Sequence, residues 1–350
     1  MFGLIVVIGG PSEALPEAAH QRETPDHAIT DVSVVLLGNL RSCALDAEAP
    51  ELPAVTRAAR PIGLVVDTIA GTHGPCWRLW FGRSGACCDY ILSADCRTLW
   101  ARWNERVDEA AVVRLLFDTV LAWTARLQGK LCLHASAAAS VSTSTAASDG
   151  HAIAVLAPSG SGKSTIASAL ARWAEWRVLS DDTAVVTPDD QGHVVHPGRP
   201  YLRLDSASVA AVAAPRHDVV LDEDKYRVIA HGTNEHDVET AARRLTAMYV
   251  LRRECGIARP EIRPCSLADA AGLVTANLYP PALPRDHERQ RHDHALVTRL
   301  LHDVPCRMLT IPNALTELPA VCETLIHDVR MLRPDQAGHM ATSFSIPAIT

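Results

Sequence analysis

Nine consecutive residues carry the sharpest chemical pattern in the chain: Ala157-Pro158-Ser159-Gly160-Ser161-Gly162-Lys163-Ser164-Thr165. They fit the phosphate-binding loop G-x-x-x-x-G-K-[ST], with Ala157 where the first glycine usually stands. That substitution is tolerated where the backbone does not need a positive φ. The amides of Gly160, Ser161, Gly162 and Lys163, turned into one concavity at a helix N-terminus, would favour a polyphosphate through the helix dipole. Lys163 would add a point charge and the Ser164 hydroxyl a ligand for Mg²⁺, with Ser159, Ser161 and Thr165 completing the cradle. A chance Gly/Ser turn is the plain alternative, and the order strand, loop, lysine, hydroxyl, helix argues against it.

Two acids follow shortly after. Ser180-Asp181-Asp182 comes directly behind the apolar pair Val178-Leu179. At the end of a strand beside the loop, one carboxylate can hold Mg²⁺ while the other accepts the proton of an attacking hydroxyl. Asp181 comes first after the strand and is the expected base, although either residue suits either role. A solvated turn, for which an Asp-Asp pair is ordinary, is the plain alternative, and the spacing from the loop argues against it. His134 is the third element, set among small residues in Leu133-His134-Ala135-Ser136-Ala137. A lone histidine on an apolar strand is commonly a satisfied core residue; next to the loop strand, it would face the same crevice. Arg203 and Lys225 complete the candidates, each either a charge clamp on a γ-phosphate or a surface ion-pair partner.

For these residues to meet, particular elements must hold them. Residues 152–156 are a continuous apolar run of the kind that forms a buried parallel strand. Ile166, Ala167, Ala169, Leu170 and Trp173 have helical spacing behind the loop. Residues 131–139 read as a strand, 140–149 as a low-complexity Ser/Thr/Ala tract, and 178–179, 183–186 and 194–195 as short strands with a turn at Pro188 and Gly192. Farther on, 247–251 and 307–311 read as strands and 267–278, 287–301 and 315–332 as helices. Upstream, four apolar runs at 32–37, 62–66, 77–81 and 88–93 suggest a small β-rich module. A helix at 110–127, stopped by Gly129, follows it. The expected organisation is an N-terminal strand and linker at 1–31, the β-rich domain with its bridging helix at 32–128, an α/β domain at 129–332 and a flexible tail at 333–350.

Composition narrows the partners. The 350 residues hold 33 Lys+Arg against 40 Asp+Glu, a formal net charge of -7, which argues against non-specific nucleic-acid binding. Although 48% of residues are hydrophobic, no apolar run approaches the length of a membrane span. The ten cysteines contain no C-x-x-C pair, and the apolar first ten residues have no Lys or Arg ahead of them. Neither zinc ligation nor a secretory signal is therefore expected, and a cytoplasmic location is. His287, His292, His294 and His302 lie on a charged helix and read as a solvated face.

The strings LHASAAA, AIAVLAPSGSGKSTIASAL, VLSDDTAVV and VVHPGRPYLRL, in that order, make the chain resemble the C-terminal catalytic domain of the HPr kinase/phosphorylase family. It looks closer still to the kinase-only relatives that modify serine in peptides, some of which accompany lasso-peptide maturation. The resemblance covers residues 131–329 in element order and is specific over 131–204. It implies an α/β P-loop kinase domain behind a small β-rich domain that binds substrate or partner. It further implies ATP and Mg²⁺ as cofactors, and a serine-containing peptide or small protein, such as a ribosomally made precursor, as substrate. On matching residues it implies that Gly162, Lys163 and Ser164 bind the nucleotide. Asp181 and Asp182 correspond to the family's acid pair, one member of which is the general base, and His134 to the histidine beside it. The family's arginine signature would fall on Arg243 or Arg244. Its Pro-Gly-Arg-Asn form is absent there, and its extra Mg²⁺-binding glutamate has no counterpart, so phosphorylase activity and HPr itself are not implied. A nucleotide-binding sensor or assembly module without a phosphoryl acceptor, and a small-molecule kinase, are the competing readings. A homo-oligomer remains open.

Overall fold

The computed structural model describes residues 6–9, 32–39, 63–71, 74–83, 86–140, 151–174, 176–199, 201–212, 218–219, 225–229, 241–280 and 287–332. The described residues through Gln128 make one compact unit and those from Gly129 onward make another. The architecture is mixed α/β. No helix among the described residues is long and apolar enough to cross a membrane. The expected linker at 11–31, the tract at 141–149 and the tail at 333–350 lie outside the described residues.

The first unit is one six-stranded sheet with a helical segment. Its strands are β1 (Val6–Gly9), β2 (Val32–Asn39), β3 (Gly63–Gly71), β4 (Gly74–Arg83), β5 (Ala86–Leu92) and β6 (Thr98–Trp103), in the order β1-β2-β6-β5-β4-β3. β3 to β6 form an antiparallel meander, and β2 pairs in parallel with both β6 and β1. Asp108 caps α1 (Glu109–Leu115) by accepting from the Ala111 amide, and a π-turn over Leu116–Val120 leads into α2 (Leu121–Leu127). The sequence periodicity predicts one regular helix there. The π-turn shifts its register, so that Val112, Leu116, Val120, Leu121 and Trp123 are all fully buried.

The second unit contains β7 (Leu131–Leu133), β8 (Ala135–Ser140), β9 (His151–Leu156), β10 (Trp176–Ser180), β11 (Ala184–Asp189) and β12 (Gly192–His196). A small sheet of β13 (Tyr201–Asp205), β14 (Asp218–Val219) and β15 (Lys225–Ile229) follows, then β16 (Arg243–Glu254), β17 (Glu261–Pro264) and β18 (Cys306–Pro312). Its helices are α3 (Lys163–Trp173), α4 (Ser206–Ala211), α5 (Leu267–Ala276), α6 (His287–Asp303) and α7 (Leu318–Leu332). The main sheet runs β10-β8-β9-β16-β12-β11-β7, with β18 beside β16. β9, β16 and β18 are parallel to one another, and most other pairs are antiparallel.

Helices cover both faces of this sheet, which explains why β9 is apolar at every position from Ala152 to Leu156. Ile153 and Val155 pack with Ile166, Leu170 and Leu325 from α3 and α7. Ala152, Ala154 and Leu156 pack with Val274, Val297 and Leu300 from α5 and α6. A strand clothed on both sides reads as a continuous apolar run rather than an alternating one.

Candidate functional site

The site lies where two long strands are broken opposite each other. β7 and β8 are consecutive pieces of chain interrupted only at His134; β10 and β11 are interrupted only at Asp181, Asp182 and Thr183. β7 pairs with β11 through Leu133↔Ala184, and β8 pairs with β10 through Ala137↔Ser180. Backbone pairing therefore lapses on both strands at the same level, and side chains take its place. His134 Nδ1 lies 3.0 Å from the Asp182 carbonyl, and Ser136 Oγ donates to Asp181 Oδ1 at 2.6 Å. Asp182 has φ +69°, a left-handed conformation that Asp adopts more readily than most side chains.

The two carboxylates have different surroundings. Asp181 is 2% exposed; its Oδ1 accepts from both Ser136 and the Ser164 hydroxyl at 2.7 Å. Its Oδ2 faces the Arg203 amide at 3.3 Å and Arg199 Nη2 at 3.5 Å. Asp181, the expected base, is thus the closed member of the pair: both of its oxygens face protein donors and almost none of its surface is exposed. Asp182 is a quarter exposed at its side chain. Arg203 Nη2 donates to its Oδ2 at 3.1 Å, Arg199 Nη2 stands 3.8 Å from the same oxygen, and His134 Nδ1 is 3.4 Å from its Oδ1. Burial alone would raise the Asp182 pKa, but the charges of Arg199, Arg203 and Lys163 hold it below the usual carboxylate value.

The partners of His134 define its proton. Lys163 Nζ, a donor only, lies 3.0 Å from His134 Nε2, so that nitrogen is the acceptor. The Asp182 carbonyl only accepts, so Nδ1 carries the hydrogen. Neutral imidazole is the one form that satisfies both contacts. Burial and the Lys163 charge push its pKa down accordingly, against the opposing pull of Asp182. The segment behind α5 fixes the ring: the His134 amide donates to the Asn277 carbonyl at 2.7 Å, and the Tyr279 ring stacks on it with centroids 5.9 Å apart.

The loop between β9 and α3 provides the floor. Gly160 and Gly162 have φ of +79° and +101°, whereas among the described non-glycine residues positive φ occurs only at Cys96 and Asp182. Ala157 thus keeps an ordinary backbone and is fully buried, which accounts for alanine in place of glycine. Lys163 Nζ donates to the carbonyls of Ala157 at 2.7 Å and Pro158 at 3.1 Å. Ser159 and Gly160 are exposed and Ser161 half-buried, so the rim of the loop is open. Thr165 is turned away: its hydroxyl shares a 2.9 Å hydrogen bond with Ser208 of α4.

His134, Lys163, Ser164, Asp181, Asp182 and Arg203 are brought together, and Arg243 is not. Arg243 begins β16 beside the start of β9, where Arg244 pairs with His151. It is about 20 Å of extended strand from the loop, and it does not reach the site. Lys225 begins β15, and its side chain lies outside the described residues. His287, His292, His294 and His302 are exposed on α6, as a solvated face requires. Sequence reasoning missed Ser136, two residues from His134 on the same strand, where a period of two was the available signal. It also missed Arg199, whose side chain is 1% exposed, bridges both carboxylates and lies with its guanidinium carbon 5.2 Å from the Tyr201 ring centroid. Among the described residues no three His, Cys, Asp or Glu are grouped to hold a metal by themselves. The chain matches no protein-family model and no curated protein sequence.

Proposed function

We propose that this protein is a P-loop kinase of the HPr kinase-like type. It would transfer the γ-phosphoryl group of ATP, with Mg²⁺, to a serine hydroxyl of a peptide or small protein. The observation that carries this reading is the convergence of Lys163, Ser164, Asp181, Asp182 and His134 from three separate stretches of chain. Phosphoryl transfer asks for positioning and charge neutralisation more than for covalent chemistry, and these residues supply both.

The roles divide by access and charge. The loop amides and Lys163 bind the phosphate chain, Lys163 exchanging its loop carbonyls for phosphate oxygens. Ser164 and Asp181 suit Mg²⁺: both offer hard oxygen atoms, 2.7 Å apart, and magnesium is commonly held by one or two carboxylates plus substrate phosphates. When bound, the ion neutralises charge on the transferring group. Ser136 holds the Asp181 carboxylate in place. Asp182 faces the open side and takes the serine proton. Its pKa, held below the ordinary carboxylate value, keeps it ionised at neutral pH at some cost in basicity. Arg199 and Arg203 allow two carboxylates to stay ionised side by side, and His134 ties Asp182 to Lys163.

Incubation of the full chain with Mg²⁺ and γ-labelled ATP on an array of serine-containing peptides tests the reading. Label on serine, abolished in Lys163→Ala, is the expected result. ATP bound without transfer to any peptide, free serine or sugar would instead favour a nucleotide sensor, and transfer to free serine or sugar alone a small-molecule kinase.

A further inference from the structure

The two flanks of the loop strand are not alike. On one side of β9 lie β8 and then β10, which present Ser136, His134, Asp181 and Asp182. On the other lie β16 and β18, both parallel to β9, so that their C-terminal ends open at the same edge of the sheet as the loop. That edge is where ligands of parallel sheets bind. Two residues stand there that the catalytic reading does not use: Arg253, at the end of β16, and Asn313, immediately after β18.

Arg253 is exposed, yet two hydrogen bonds hold it. Its Nε donates to the Ser161 carbonyl at 2.9 Å, and its Nη1 donates to Asn313 Oδ1 at 3.1 Å. Its Nη2 lies so near Gly162 that a Cβ there would stand 2.6 Å away. Both acceptors are neutral oxygens, so the positive charge is anchored without being neutralised by them. An exposed arginine loses considerable side-chain freedom when fixed in this way. Asn313, with its oxygen engaged by Arg253, presents its amide hydrogens as donors.

We infer that Arg253 and Asn313 form the nucleobase side of the nucleotide site. This inference rests on the ATP reading proposed above. With the reacting phosphate directed to Asp182 on the β8–β10 flank, the nucleoside leaves the loop on the opposite flank, over β16 and β18. A planar guanidinium fixed at the rim of the loop stacks on a base, and an oriented carboxamide beside it donates to a ring nitrogen or carbonyl. Gly162 is then needed twice: for its left-handed φ of +101° and for the space that Arg253 occupies.

Calorimetric titration of the full chain with ATP and, separately, with inorganic tripolyphosphate, both with Mg²⁺, tests this. Wild-type protein is expected to bind both. Arg253→Ala and Arg253→Lys should each weaken ATP binding about tenfold or more and leave tripolyphosphate within about twofold, because base stacking is worth about 1–3 kcal/mol and needs the planar group. Asn313→Ala should weaken ATP alone. Equal weakening of both ligands, no change in ATP, or full rescue by Arg253→Lys would overturn the inference while leaving the ATP reading intact. Wild-type protein that binds neither ligand would overturn both.

Discussion

Each unit of this protein sets aspartate against two arginines, and the two clusters are built to opposite ends. In the first unit Asp89 of β5 is 1% exposed and accepts four hydrogen bonds, from Nε and Nη2 of both Arg78 and Arg102, at 2.7–3.0 Å. The three residues sit on adjacent strands with regular backbone pairing, and both guanidinium groups are buried. Nothing is left open for a ligand. In the second unit Arg199 and Arg203 face two carboxylates at a point where strand pairing is interrupted, and only part of the cluster is closed. Asp181 and Arg199 are buried, while Asp182, Arg203 and His134 are each about a quarter open at their side chains. The charged residue types are nearly the same. Completion of the sheet ladder and of the carboxylate's hydrogen bonds distinguishes a cluster that holds strands together from one able to receive a substrate.

Paired substitutions sharpen that contrast. Asp182→Asn should lower phosphoryl transfer by about 10²- to 10⁴-fold, the usual contribution of a positioned base. It should lower thermal stability far less than Asp89→Asn does, because asparagine tolerates the left-handed backbone and the Asp182 side chain is partly solvated. Asp89→Asn should do the reverse. Removing one partner from a buried ion pair costs about 3–5 kcal/mol, which would appear as a large fall in melting temperature. Loss of folding in Asp182→Asn, or unchanged stability in Asp89→Asn, would break the distinction. A smaller effect is expected from Ser136→Ala. Ser136 touches Asp181 rather than substrate, and loss of a partner behind a metal ligand typically costs about 10–100-fold in metal affinity. The Mg²⁺ concentration for half-maximal transfer should rise by that order while the rate at saturating Mg²⁺ is largely kept. A purely structural serine would move stability and leave the Mg²⁺ requirement alone.

The parts of this molecule legible in its sequence are those where local pattern and tertiary role coincide. The apolar run of β9, the two glycines of the loop and the periodicity of α3 each have a single physical solution, and each element lies where the pattern predicts. The 131–139 segment reads as one strand, and the structure divides it at His134, because the break depends on a partner strand some 45 residues away. β6 escaped notice altogether: Arg102 stands in an apolar strand as a buried partner of Asp89, and no pattern in the sequence announces that pairing. Arg199 was invisible for a similar reason, since its burial is granted by carboxylates it meets only in space. The order of Asp181 and Asp182 along the chain does not tell which carboxylate faces out, because turn geometry, not sequence position, decides it. Arg243 and Arg253 occupy the two ends of one strand, and choosing between them requires knowing that β16 runs parallel to β9.

The open cluster should also register pH through stability, in a window the closed one lacks. His134 accepts a hydrogen bond from the Lys163 ammonium and can do so only while its Nε2 is unprotonated. Folding therefore favours the neutral ring, consistent with a pKa held below the ordinary value by burial and by Lys163. The unfolded chain, with histidine near about 6.5, takes up the proton first as pH falls. Stability from this residue is fully present above that value and is lost as pH drops through the window between it and the lower folded value. Asp182 acts in a separate range. Its folded pKa is depressed, so its contribution is present above the unfolded carboxylate value of about 3.9 and is lost as pH falls through the lower folded value. Melting temperatures measured from pH 7 to 5 should therefore decline less in His134→Asn than in the wild type. An identical slope in the two proteins would mean that the Lys163–His134 contact is too weak in solution to bias the proton. The order of protonation in the open cluster would then have to be assigned to Asp182 and its arginines alone.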